Sequence, residues 1–231
     1  MFIKKKRLTD YDTYVFIDVS NIRAATLKTC GFQIDFIALA NYFYSKYPKL
    51  KMLNYYEGLA KNDMRKNVIL DKLELSGYNI KTLERKAYVK KPIRKSFICK
   101  KCKYKNIVTV MPKSIMLKSN VDVYLASEML KIALTTKRLK HLVIVSCDGD
   151  YAEAIRIATE NRKVFVTVMA TPATKDLNRN TLSSRLKELC EDILKQYKLF
   201  NINDIKDKII TKNEDDPESA SSRVGNTSPV T

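Results

Sequence analysis

HLVIVSCDGDYAEAIRIATENRKVFVTVMA, His141 to Ala170, is the stretch from which the fold can be read. HLVIVS (His141 to Ser146) is apolar on both faces, as a strand covered on both sides must be. Asp148, Gly149 and Asp150 follow at once, then GDYAEAIRIATENR with helical spacing, then the second apolar strand KVFVTVMA. Strand, helix, strand is a βαβ unit and implies a parallel sheet.

The same alternation extends outward. YVFID (Tyr14 to Asp18) is a short β-rich run, and IDFIALANYFYSKY carries apolar residues at helical spacing up to Pro48. KMLNYYEG is a second strand ended by glycine. DMRKNVILDKLELSGY reads as a helix with Asp63 as N-cap and Gly77 as C-cap. YNIKTLERK is a third strand, NVDVYLASEMLKIALTT a helix, and TLSSRLKELCEDILKQY an amphipathic closing helix. The expected class is α/β with a central, mostly parallel sheet of about five strands. Asp35 and Asp71 fall inside helical patterns and read as surface acids.

Ligand sites of open parallel sheets lie beyond the carboxyl ends of the strands. Asp18 closes the first strand, Asp122 opens the helix after the third, and Asp148 and Asp150 follow the fourth. Four ionised carboxylates close together repel, and at least one would be pushed toward protonation unless something compensates. Divalent Mg²⁺ or Mn²⁺ suits such an oxygen-rich set. Two such ions can activate a water and stabilise the leaving oxygen of a phosphodiester. The bland alternative for each aspartate is a helix cap.

Lys and Arg number 43 against 25 acids, a net charge of +18. Such a balance points to a polyanion, nucleic acid first, although compositional bias toward lysine contributes. The charge is concentrated: Lys81 to Lys118 holds thirteen Lys or Arg and one acid, Glu84. Tyr88, Phe97 and Tyr104 are interspersed, which suits a single-stranded track with Arg94, Lys95, Lys100 and Lys101 on phosphates. The rings equally suit a local core. No apolar run reaches the length of a membrane span, and no signal core follows the basic N-terminus. A cytoplasmic protein without membrane contact is expected. Five scattered cysteines, an odd number, argue for reduced thiols rather than a disulfide scaffold.

FIDVSN (Phe16 to Asn21), KSNVDVYLASEML (Lys118 to Leu130) and VIVSCDGDYAEAI (Val143 to Ile155) together resemble the NYN domain family, a branch of the PIN-like nucleases, and its LabA-like subgroup in particular. The resemblance covers Tyr14 to Tyr197. It implies a PIN-like three-layer sandwich and a Mg²⁺ or Mn²⁺ site that hydrolyses RNA, with Asp18, Asp122, Asp148 and Asp150 as ligands and catalytic acids. Asn21 matches the asparagine of the first motif and would orient water or phosphate, its alternative being a helix cap. Ser146 would touch phosphate or only satisfy the turn. Lys118 would neutralise phosphate, or is one solvated lysine among many. Glu128 is a peripheral ligand or a surface acid. Ser183 and Arg185, at the last helix, are placed to reach substrate. Cys147 stands where glycine is common in the family, and Tyr151 where phenylalanine is. Such domains also often pair, which makes a homodimer a candidate assembly.

Cys99-x-x-Cys102 is half of a zinc site, and no second pair follows it at ribbon spacing. The readings, in order, are an inert pair, zinc completed by distant cysteines or by a second subunit, and redox chemistry. The expected organisation is a basic extension over 1–13, the domain over 14–200 with the basic insertion at 85–118, and a C-terminal extension over 201–231, disordered from about 212. The leading function is a metal-dependent ribonuclease, most simply an endonuclease. A non-catalytic RNA-binding module with the same fold is the alternative. A phosphotransferase acting through Asp18 would need an acid at Ser20.

Overall fold

The structure, a computed structural model, describes residues 8–60, 64–135, 138–172, 182–192 and 196–210. Ten strands are present among them: β1 (Asp12–Asp18), β2 (Leu50–Leu59), β3 (Asn79–Glu84), β4 (Lys86–Lys90), β5 (Ile93–Ile98), β6 (Lys105–Met111), β7 (Ser114–Lys118), β8 (Lys140–Val145), β9 (Val164–Ala170) and β10 (Tyr197–Asn201). The main helices are α1 (Val19–Cys30), α2 (Phe36–Lys46), α3 (Met64–Leu75), α4 (Val121–Leu134), α5 (Ala152–Glu160) and α6 (Ser184–Asp192).

Six strands form one sheet in the order β10-β9-β8-β1-β2-β3, and every pairing in it is parallel. β1 and β8 lie at its centre, in register from Asp12↔Lys140 to Ile17↔Val145. Their buried runs VFID and HLVIV explain the place: only residues apolar on both faces tolerate helices above and below. The faces can be assigned from one dipeptide. Tyr55 packs edge-on against Phe36 of α2, and its neighbour Tyr56 against Tyr124 of α4. Successive strand residues point to opposite faces, so α2 and α4 cover opposite sides. α4 presents Val121, Leu125, Met129 and Ala133 inward at four-residue spacing. α4 packs beside α5, which rests on β9, and α5 beside α6, which rests on β10.

The sheet has six strands where about five were expected. The sixth, β10, and the turns after it extend the packed unit past residue 200: Ile202, Ile205 and Ile209 are buried, and Ile210 forms a bridge with Ile34. Residues 211–231 lie outside those described, as does the cap expected at Asp63. Gly77 takes φ 88 at the end of α3, and the Tyr78 amide bonds back to Leu73, the left-handed helix end that glycine admits. Asp35 is a cap rather than a plain surface acid, accepting from the amides of Ile37 and Ala38 at 2.8 and 3.1 Å, a contribution of about 1 kcal/mol.

The basic insertion is ordered as a two-stranded antiparallel arm. β4 pairs with β7 from Lys86↔Lys118 to Lys90↔Ser114, and β5 with β6 beyond it. No helix among the described residues is long and apolar enough to cross a membrane.

Candidate active site

Chain order reverses direction in the sheet between β1 and β8: β1, β2, β3 run one way and β8, β9, β10 the other. Such a switch point leaves a crevice at the carboxyl edge where neither flanking crossover covers the strand ends. Asp18 is the last residue of β1, and Ser146 to Asp148 follow directly on β8.

Asp18 is buried, 8% exposed. One carboxylate oxygen accepts from the Asn21 amide at 3.2 Å, so it caps α1, and the other accepts from the Tyr151 hydroxyl at 3.0 Å. Burial pushes its carboxyl above the usual range; the two hydrogen bonds oppose that, while the nearby charges of Asp148 and Asp122 add to it. Burial likewise raises the Tyr151 phenol, and Asp18, Asp122 and Asp148 all act on it in the same direction. Three of the four expected acids therefore share one electrostatic neighbourhood around Tyr151.

The fourth does not join them. Asp150 has a side chain 74% exposed and lies 3.7 Å from the Arg185 guanidinium. Asp148 spends one oxygen on the Asp150 amide at 3.0 Å. Glu128 accepts from the Tyr56 hydroxyl and lies 3.7 Å from Lys81, which fastens α4 to β2 and β3.

The turn that carries Asp148 is held from three sides. Asn21 Oδ1 accepts from the Cys147 amide at 2.8 Å, so this side chain holds the turn rather than capping a helix. Ser146 Oγ, fully buried, accepts from the Asp148 amide at 3.2 Å, the turn-satisfying alternative. Cys147 Sγ lies 3.3 Å from both the hydroxyl and the amide of Thr171, which ties the turn to the end of β9. Gly149 is needed for space: a Cβ there would stand 2.2 Å from Ser183 Oγ. Gly58, at the end of β2, gives the same close approach to Ser119, just before α4.

An open cleft of about 530 Å³ is lined by Asn21, Cys147, Asp148, Gly149, Asp150, Ser183 and Arg185. A larger hollow beneath α2 has no carboxylate in its lining. His141 is buried in β8, and desolvation, with Lys198 adding to it, pushes its imidazole down to about 4. It is a core residue and no candidate base for the cleft. Lys118 is exposed at the base of the arm, four residues before Asp122. Arg94 and Lys95 lie along β5, and Lys100 and Lys101 at its tip, up to about 40 Å of extended chain from the base.

The donors suit a hard divalent cation, being carboxylates with one member left in an unfavourable charge state. Among the described residues, however, no three acids, histidines or cysteines converge on one point as metal ligands do. Tyr151, marked in the sequence only as standing where phenylalanine is common in the family, is the group that donates to Asp18; the signal for it was a hydroxyl directly after an acid pair, where a ring alone would have filled the core.

A family model, NYN domain, matches residues 12–194, well over half of the chain. The protein belongs to the NYN domain family. Membership brings a PIN-like nuclease fold, in agreement with the six-stranded parallel sheet and its flanking helices. Among solved structures, a protein of unknown function from Vibrio parahaemolyticus, VPA0982, is similar in fold, with a TM-score of 0.52 at 14% identity, covering 86% of this chain and 98% of that one. No curated protein sequence matches the chain.

Proposed function

We propose that this NYN domain protein is a divalent-metal-dependent ribonuclease of the LabA-like kind, acting in the cytoplasm on single-stranded RNA as an endonuclease. The observation that carries this reading is Asp18, buried at the switch point with the charges of Asp122 and Asp148 turned on it. A fold that gains nothing from such a cluster has no reason to keep it; a bound cation removes the repulsion. Mg²⁺ or Mn²⁺ held by Asp18, Asp122 and Asp148 would supply Lewis acidity to the water and to the phosphodiester.

The chain's own groups supply the rest. Tyr151 and the Asn21 amide hold the Asp18 carboxylate in one orientation. The Asn21 side chain, gripping the Cys147 amide, keeps the Asp148 turn against the end of β1. Arg185, in the cleft lining, offers positive charge to phosphate, Lys118 does so from its place four residues before Asp122, and Asp150, exposed and 3.7 Å from Arg185, can turn from it toward an incoming cation.

Cleavage of labelled single-stranded RNA with Mn²⁺, and with chelator, tests the reading. Asp148→Asn is expected to lose activity by about a hundredfold or more, the scale of removing one electrostatic element of a transition state. The second reading is a non-catalytic RNA-binding module. It draws on the lack of three converging acids among the described residues. RNA bound but uncut with every divalent metal would favour it.

A further inference from the structure

The arm's tip carries a feature that the nuclease reading does not use. Between β5 and β6 the chain turns through Cys99, Lys100, Lys101, Cys102 and Lys103. The Cys99 amide bonds to the Tyr104 carbonyl and the Lys103 amide to the Cys99 carbonyl, each at 2.9 Å. Lys103 takes φ 60, a lone non-glycine residue with positive φ among those described. A lysine in that left-handed conformation is strained by about 1 kcal/mol, so the turn is held in a shape it does not prefer. The turn places both cysteines at the end of the arm, with Lys100 and Lys101 between them. Both cysteines are free, and Cys102 is exposed.

Two cysteines with two residues between them, on a turn closed by two backbone hydrogen bonds, are half of a tetrahedral thiolate site. Cys147 is buried against Thr171, His141 is buried in the sheet, and no third ligand joins the pair among the described residues.

We propose that Cys99 and Cys102 are half of a zinc tetrathiolate completed by the same pair from a second copy of this chain, joining two arms tip to tip. Two features beside the metal ligands fit a second copy. Phe97, Ile98, Tyr104 and Ile107 cluster near the tip, each more than half exposed, and a clustered exposed apolar surface marks a contact with another chain. Lys100, Lys101, Lys103 and Lys105 surround it, so two tips repel without metal. A Zn²⁺ with four thiolates carries a net charge of −2 and offsets that repulsion. Pairing is therefore conditional on zinc, and the metal-free chain is a monomer.

The test uses the full chain, stripped of metal and kept reduced. Mass in solution by sedimentation and zinc per chain are measured as Zn²⁺ is added, for wild type, Cys99→Ser and Cys102→Ser. Wild type is expected to go from the 26.6 kDa chain to twice that mass, taking up one zinc per two chains beyond what the variants bind, and to revert with chelator. Zinc bound at the acids persists in the variants and so cancels in the difference. Co²⁺ in place of zinc is expected to give the absorption of a tetrahedral tetrathiolate. The variants should keep wild-type thermal stability without metal, because the tip packs against nothing. A monomer at saturating zinc overturns the proposal, as does one zinc per monomer at the cysteines. So does a dimer that survives chelator, or one that forms only without reductant.

Discussion

Asp18 joins two demands in a single side chain. It caps α1 and accepts from Tyr151, both favourable, yet it is buried beside two other acids. Its folded-state pKa is raised, so the folded chain holds its proton to higher pH than the unfolded chain does. Stability from this group is therefore undiminished below the unfolded pKa, falls as pH rises toward the folded pKa, and stays lower above it. Asp18→Asn keeps a capping side chain and removes the charge. The metal-free variant is expected to melt higher than wild type at pH 7, with the gap closing near pH 4; melting curves across that range check it, and a lower melting point at pH 7 would contradict the repulsion. Gly149 answers to space in the same way. Alanine there meets Ser183 at both Oγ, 2.2 Å, and Cβ, 2.9 Å. Gly149→Ala is expected to destabilise by about 1–3 kcal/mol, the usual range for overpacking. Ser183→Ala should rescue little of it and Ser183→Gly most of it, as urea denaturation of the double variants would reveal.

At the scale of elements, the strands that flank the acids were legible because each is a dense apolar run closed by a polar turn. β1, β8 and β9 have that form, and the doubly covered centre of the sheet follows from it. The elements that were missed lack it. α1 begins VSNIRAAT, with polar residues through its first turn, and its cap lies one residue upstream inside the strand motif. β10 is the short run YKLFN, following at once on a segment read as one long helix, and its polar residues hide its pairing with β9. The arm carries alternating lysines and apolar residues on two open faces, which composition alone reads as a loop. The C-terminal turns depend on contacts with α2 that no local pattern reports. Their contribution is testable: Ile209 is fully buried, its carbonyl accepts from the Asp35 amide at 2.8 Å, and Ile209→Ala is expected to cost about 2–5 kcal/mol. Chemical denaturation measures it, and a cost below about 0.5 kcal/mol, typical of exposed sites, would mean these turns do not belong to the cooperative unit.

For the molecule as a whole, the net charge of +18 is unevenly arranged around the acidic crevice at the switch point. The acids occupy the carboxyl edge at the switch point, while Lys86 and Lys118 face each other at the root of an arm that carries further lysines to its tip. A polyanion drawn to the arm would thereby be led to its base, directly beside the residues that precede Asp122. Its length separates the two jobs: charges near the tip hold strand without touching the chemistry. Replacing Arg94, Lys95, Lys100 and Lys101 by alanine leaves Cys99 and Cys102 in place and removes four of those charges. Each phosphate contact on a single strand contributes about 0.7 to the slope of log K against log salt. The variant is expected to bind single-stranded RNA more weakly at low salt, with a slope shallower by up to about 3. Cleavage of a short oligonucleotide, which the crevice alone can hold, should be nearly unchanged. Titrations at several salt concentrations separate the cases. An unaltered slope would place the RNA on another face of the body and leave the arm to the pairing of chains, whereas loss of short-substrate cleavage would bring the arm's charges into the crevice itself.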